Sequence, residues 1–82
     1  MKLEVRKYLY DVQRAAALLR EFTDAKTFSD YEREAMLRAA VERQFEIIGE
    51  AIARLARVDE PTVAEISDYQ RIIAFRNVLI HG

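Results

Sequence analysis

The chain has 82 residues, with 13 Lys and Arg against 14 Asp and Glu, a single His and no Cys. This length allows one small domain and excludes a multidomain enzyme that carries its own cofactor fold. The absence of Cys excludes disulfide scaffolds, Cys-ligated zinc and thiol nucleophiles, one His cannot form a multi-His metal site, and the near-neutral charge argues against the broad basic face of a typical DNA-binding domain.

An amphipathic helix is predicted from about Leu3 to about Phe22. Its apolar residues recur at alternating spacings of four and three, which places them on one stripe of the helix. That stripe consists of Val5, Leu9, Val12, Ala16 and Leu19. The polar stretch at residues 23–28 is predicted to be a loop.

A long second helix is predicted from Ser29 to about Arg57, because Ser29 and Glu32 fit the S-x-x-E pattern of a capping box. Two apolar surfaces are expected along it, and hence a neighbour on two sides. Gly49 weakens a helix interior by about 1 kcal/mol relative to Ala, so close approach of a neighbouring backbone is expected there. The main stripe comprises Leu37, Val41, Phe45, Ile48, Ile52 and Leu55, and the second shoulder Met36, Ala40, Ile47 and Ala51.

Residues 58–61 are predicted to break this helix, since Pro61 lacks a backbone donor and disfavours helical geometry just before it. A short helical turn near residues 62–66, with Thr62 and Glu65 as a possible cap, would follow. A second possible cap, Ser67 with Gln70, opens a terminal helix through residue 80. The expected architecture is therefore all-α, an up-down bundle of three main helices in a single domain spanning residues 1–82.

The sequence has no run of the ~18–20 apolar residues that a membrane span requires, because charges interrupt every block of ten. Residues 1–7 also lack the apolar core of a signal peptide. A cytoplasmic protein with no membrane association, cofactor or metal is the expectation.

Arg76 is the first candidate for chemistry, because it falls in the middle of the most apolar face of the terminal helix. Burying an unpaired guanidinium is costly, so either that face opens to a cleft or Arg76 has a partner. The row of Glu42, Glu46 and Glu50 could supply that partner. The plainer alternative for Arg76 is that the aliphatic part of its side chain lies along apolar surface. The plainer alternative for the glutamates is a solvated row of salt bridges and not a cation site.

His81 follows Asn77 by four residues, so the two can lie on one helical face. Arg76, Asn77 and His81 would then border a cleft without forming a complete site within one helix. A second copy related by a two-fold axis could complete that site. A surface His near a helix C-terminus is the plainer alternative. Tyr8 and Tyr10 could stack on bases, although packing in a core or interface is the simpler interpretation.

Three segments carry a family resemblance: YLYDV at residues 8–12, FEIIGEA at residues 45–51 and IIAFRNVLIHG at residues 72–82. In this order they resemble the HepT-like family of the HEPN superfamily, toxin ribonucleases of toxin–antitoxin pairs. The resemblance covers essentially the whole chain and the front three-quarters of a typical member. Members continue with a Tyr and a further helix, so this chain, ending at Gly82, is expected to be truncated and to lack the final family helix.

The resemblance implies an all-α homodimer with a composite active site at the dimer cleft and metal-independent RNA cleavage. Arg76 and His81 would be the catalytic pair, with Asn77 as the supporting polar residue. The implied partner is a nucleotidyltransferase antitoxin. The alternative is a catalytically inactive helical module that dimerises and binds such a nucleotidyltransferase; a generic nucleic-acid-binding bundle is disfavoured by the net charge.

Overall fold

The computed structural model describes residues 2–65, and this part of the chain is almost entirely helical. The first helix, α1 (Leu3–Thr23), begins where the sequence predicts and ends one residue later. The Thr23 hydroxyl donates to the Leu19 carbonyl over 2.7 Å within its last turn. Beyond it the chain turns at Ala25, whose φ of 58° lies in the left-handed region. The left-handed residue lets the chain reverse direction.

The predicted continuous helix from Ser29 to Arg57 is wrong, because two helices occupy this stretch. They are α2 (Phe28–Arg33) and α3 (Ala35–Val58), separated by Glu34 in an extended conformation. The Arg38 side chain donates to the backbone carbonyls of Tyr31 and Glu32, and so satisfies acceptors that the break leaves open. A contact from the next helix therefore stabilises the interruption.

The predicted capping box is also misplaced by two residues. Thr27 is the N-cap of α2: its hydroxyl accepts from the Asp30 N–H over 3.1 Å, and its own N–H donates to the Asp30 carboxylate over 2.9 Å. That backbone hydrogen bond lowers the pKa of Asp30 below its ordinary value. Two cap patterns occur here, T-x-x-D at residues 27–30 and S-x-x-E at residues 29–32. The earlier pattern caps the helix, so Phe28 belongs to α2 and not to the predicted loop.

Replacing Thr27 with Ala is expected to lower the free energy of unfolding by about 1 kcal/mol, because the Asp30 N–H loses its acceptor. Ser29→Ala is the matched control and should change stability by less than about 0.5 kcal/mol, since Ser29 lies inside α2. Urea unfolding of both variants measures the difference. A larger loss from Ser29→Ala would contradict the Thr27 cap.

Helix α3 ends at Val58, within one residue of the predicted end, and α4 (Glu60–Ala64) follows directly. The short turn predicted near residues 62–66 thus begins two residues earlier, because Pro is tolerated in the first turn of a helix. Asp59 caps α4 and accepts both the N–H and the hydroxyl of Thr62. The predicted Thr62–Glu65 cap is therefore wrong: Thr62 is a donor to the true cap.

The core of the described region lies where α3 packs against α1 and α4. Gly49 of α3 is buried, and the close approach of a neighbouring backbone expected there stays a prediction. The second shoulder is not one continuous packed face, since Ala51 is buried but Met36 is 88% exposed. The central cluster comprises Val5 and Ala15 from α1, Ile48, Ile52 and Leu55 from α3, and Val63 from α4.

The predicted terminal helix, with its Ser67–Gln70 cap, lies outside the described residues. Within residues 2–65 the all-α prediction is confirmed, with α1 and α3 as the long packed pair. No helix in this region combines the length and hydrophobicity that crossing a membrane requires.

Candidate functional site

The three residues predicted to carry catalysis, Arg76, Asn77 and His81, lie outside the described residues. The other candidates, the glutamate row of α3 and the tyrosines of α1, lie within them. Their surroundings decide between the chemical and structural interpretations of these side chains.

The glutamate row is a series of separate polar contacts. Glu46 pairs with Arg43 over 3.3 Å and Glu50 with Arg54 over 2.6 Å. Glu42 accepts the Tyr31 hydroxyl over 3.2 Å. In the described ranges no cluster of three acidic or His side chains is arranged to hold a metal ion. The salt-bridge interpretation is thus confirmed for two of the three glutamates.

The contact of Glu42 joins α2 to α3. Burial of the phenol and its hydrogen bond to the Glu42 carboxylate raise the pKa of Tyr31, because both disfavour the phenolate. The protonated hydroxyl is therefore the form that holds the two helices together. Glu42 has a structural role in this position.

An open pocket of about 200 Å³ lies between the N-terminal half of α1 and the C-terminal half of α3. We refer to it as the α1–α3 pocket. Its wall combines apolar surface with four charged side chains. The apolar part comes from Tyr8, Ile47 and Ala51, and the charged part from Lys7, Asp11, Glu50 and Arg54.

The charges of the α1–α3 pocket form one ion pair on each helix. Lys7 Nζ lies 3.0 Å from Asp11 Oδ2, and an Arg54 guanidinium nitrogen lies 2.6 Å from Glu50 Oε1. Both pairs span four residues, about 6 Å along a helix axis. On α1 the cation comes first, whereas on α3 the carboxylate comes first.

The two helices run antiparallel, since the beginning of α1 and the end of α3 line the same pocket. Antiparallel packing reverses the order of charges along α3 relative to α1. It therefore places Lys7 at the level of Arg54, and Asp11 at the level of Glu50. At the level of the helix backbones the pocket therefore has a cationic end and an acidic end, while the charged atoms within each pair lie 3.0 and 2.6 Å apart.

Tyr8 forms the aromatic wall of this pocket. It is half-buried and packs against the core cluster, while Lys7 Nζ lies 5.8 Å from its ring centroid. Core packing is thus confirmed for Tyr8, which keeps part of its ring on the pocket side. Tyr10 is 63% exposed and does not join the core.

Sequence reasoning did not identify the convergence of Asp11 and Glu50. Both belong to the segments that carry the family resemblance, residues 8–12 and 45–51, but neither was assigned a place in a pocket. The sequence did contain a signal for this arrangement, because the cation comes first in the pair on α1 and the carboxylate comes first in the pair on α3. The register of α1 against α3 was needed to see that the two ion pairs line one pocket.

Comparison with known proteins extends over nearly the whole chain. A sequence model of the family described as "Ribonuclease HepT-like" matches residues 12–82. A curated protein of Methanocaldococcus jannaschii, whose name assigns it provisionally as an RNase, is 34% identical over 80 residues, covering 98% of this chain and 72% of the relative. No solved structure gives a significant match.

Proposed function

This chain belongs to the HepT-like ribonuclease family, and from that premise we propose that it cleaves RNA as the toxin of a toxin–antitoxin pair. The observation that carries the proposal is the extent of the family match. It runs from residue 12 to residue 82 and so includes both the IIGEA segment and the terminal R-N-x-x-x-H-G segment. The residues proposed for catalysis lie in that last segment.

The proposed chemistry needs a proton carrier and a stabiliser of phosphate charge. His81 moves a proton to or from the ribose 2′-hydroxyl or the leaving oxygen, a task suited to imidazole near neutral pH. Arg76 donates to the phosphate oxygens as negative charge builds up on them. Asn77 is the supporting polar residue beside Arg76, and the mechanism uses no metal ion.

We place the active site at the cleft of a homodimer. The predicted terminal helix would put Arg76 and His81 about 140° apart around its axis, so one copy alone would not bring them face to face. A two-fold arrangement allows each half of the cleft to be completed by the partner. A nucleotidyltransferase antitoxin in the cytoplasm is the proposed binding partner.

Incubating the full chain with a single-stranded RNA and with DNA of the same sequence, both with EDTA present, tests the proposed function. The RNA should be cut and the DNA left intact, because DNA lacks the 2′-hydroxyl. Gel separation of labelled products provides the measurement. Cleavage of both strands at equal rates would contradict a mechanism that uses the 2′-hydroxyl.

Absence of RNA cleavage by the parent chain would overturn the catalytic proposal. If the parent chain does not cleave RNA but co-purifies with a nucleotidyltransferase, it would be assigned as a non-enzymatic partner. Dimer formation is measured separately, by sedimentation of the same preparation.

A further inference from the structure

The cations of the α1–α3 pocket have hydrogen-bond donors that their ion pairs with the carboxylates do not use. An ammonium has three donors and a guanidinium five. Among residues 2–65, Lys7 uses one donor on Asp11 and Arg54 uses one on Glu50. Both cations are well exposed, with 66% and 54% of their side-chain surfaces accessible. The cationic end can therefore keep its carboxylates and still donate to an anion.

The carboxylates at the acidic end have hydrogen-bond acceptor positions that their ion pairs do not use. A carboxylate offers about four lone-pair positions, and Asp11 and Glu50 each accept one hydrogen bond in the part of the chain that is described. Their remaining positions can accept hydrogen bonds from hydroxyl groups. Because the cation and the carboxylate of each pair lie only 3.0 and 2.6 Å apart, a fitting ligand needs an anion and a hydroxyl donor on neighbouring groups of one unit.

A ribonucleotide has both groups, a phosphate and a 2′-hydroxyl, together with a base that packs on aromatic surface. The pocket supplies a matching surface for each: Lys7 and Arg54 for the phosphate, Asp11 and Glu50 for the hydroxyl, and Tyr8 for the base. A volume of about 200 Å³ is below the ~300–1,000 Å³ of drug-sized sites, so the open pocket can hold no more than one nucleotide unit.

We propose that the α1–α3 pocket binds one nucleotide of the RNA substrate and that its carboxylates select ribose over deoxyribose. This inference rests on the proposed function, since it assigns a substrate contact outside the proposed catalytic residues. A deoxynucleotide would keep the phosphate contact but would offer no hydroxyl to the remaining acceptor positions of the two carboxylates. The cations therefore supply affinity, and Asp11 and Glu50 supply the preference for RNA.

The observations favour an RNA unit over a docked protein helix. Lys7 and Arg54 line the same open pocket from two helices, so an anion bound there is attracted by both cations. A hydroxyl donor suits the acidic end without adding charge. The small volume and the balanced charge of the four side chains also argue against a long basic or acidic peptide.

Binding can be measured separately from cleavage in the full chain carrying His81→Ala. Fluorescence anisotropy with a labelled ribo-oligonucleotide, the matched deoxy-oligonucleotide and free uridine monophosphate gives three affinities. One test variant carries Lys7→Gln and Arg54→Gln, and the other carries Asp11→Ala and Glu50→Ala, which removes the hydrogen-bond acceptors. The matched control is Arg43→Gln with Glu46→Gln, which removes an ion pair of α3 that does not line the pocket.

The cation variant should bind both oligonucleotides about tenfold more weakly, and its salt slope should fall by about 0.7 for each phosphate that the protein no longer neutralises. The carboxylate variant should bring the ribo-to-deoxy affinity ratio close to one. The control should keep the affinities and the ratio of the parent. Circular dichroism shows that each variant remains folded.

An unchanged affinity in the cation variant, or an equal loss in the Arg43–Glu46 control, would overturn the proposal. Tighter binding of uridine monophosphate than of the ribo-oligonucleotide would also overturn the assignment to RNA, in favour of a free nucleotide. The proposed function fails by a different result, namely no RNA cleavage by the parent chain. Selective RNA binding by the pocket can still be observed in that case.

Discussion

Replacing His81 with Ala is expected to slow RNA cleavage by about 10²- to 10⁴-fold, because the reaction loses its proton carrier. Arg76→Ala should slow it by about 10²- to 10³-fold, because the phosphate charge is no longer stabilised. Single-turnover rates with the RNA held below the protein concentration measure the chemical step. Binding of the RNA itself should change much less in the His81 variant.

Arg20→Ala is a suitable control for both variants, since Arg20 is an exposed residue at the end of α1, far along the chain from the proposed site. It should cleave RNA at the rate of the parent. Equal rates in the parent, the His81 variant and the Arg76 variant would show that the cleavage has another source. The catalytic assignment would then be wrong, although the family membership would stand.

The largest expected effect on stability comes from Leu55→Ala. Leu55 has no exposed surface and belongs to the cluster in which α1, α3 and α4 meet. Truncation of a buried Leu costs about 2–5 kcal/mol, through reduced apolar burial and the cavity that remains. Since small domains have only about 5–15 kcal/mol of stability, this variant should be close to unfolding at ambient temperature. Urea denaturation followed by circular dichroism measures the effect.

Leu3→Ala is the matched control, because it removes the same atoms at a position that is 82% exposed. Its stability should lie within about 0.5 kcal/mol of the parent. A similar destabilisation in the two variants would mean that the α1–α3–α4 cluster does not form the main core. In that case the pocket beside it would also lack the rigid support assumed for it.

Periodicity was sufficient to predict α1 and the main body of α3, since apolar spacing reports directly on the buried face of a helix. It did not identify the break at Glu34, because apolar spacing does not mark where one helix ends and the next begins. Arg38 donates to the carbonyls of Tyr31 and Glu32 at the end of α2. That contact joins two helices and leaves no periodic signal.

The candidate site was also predicted only in part, because its pocket depends on contacts between two helices. Motif order gave the family, which the comparisons confirm. The charges of the pocket were visible in the sequence as two separate i,i+4 pairs, one on each helix. Their combined arrangement depends on the register between α1 and α3, which packing of side chains from both helices decides. Local sequence patterns do not contain that register.

The turn at Ala25 also affects the order in which the molecule folds. In a helical hairpin, the sequence separation between facing residues grows steadily from the turn to the open end, and so does the entropic cost of bringing them together. Contacts near the turn should therefore form early and those around Val5 and Leu55 late. The α1–α3 pocket lies toward that late-forming end. Substitutions that weaken contacts at this end should accordingly speed unfolding more than they slow folding.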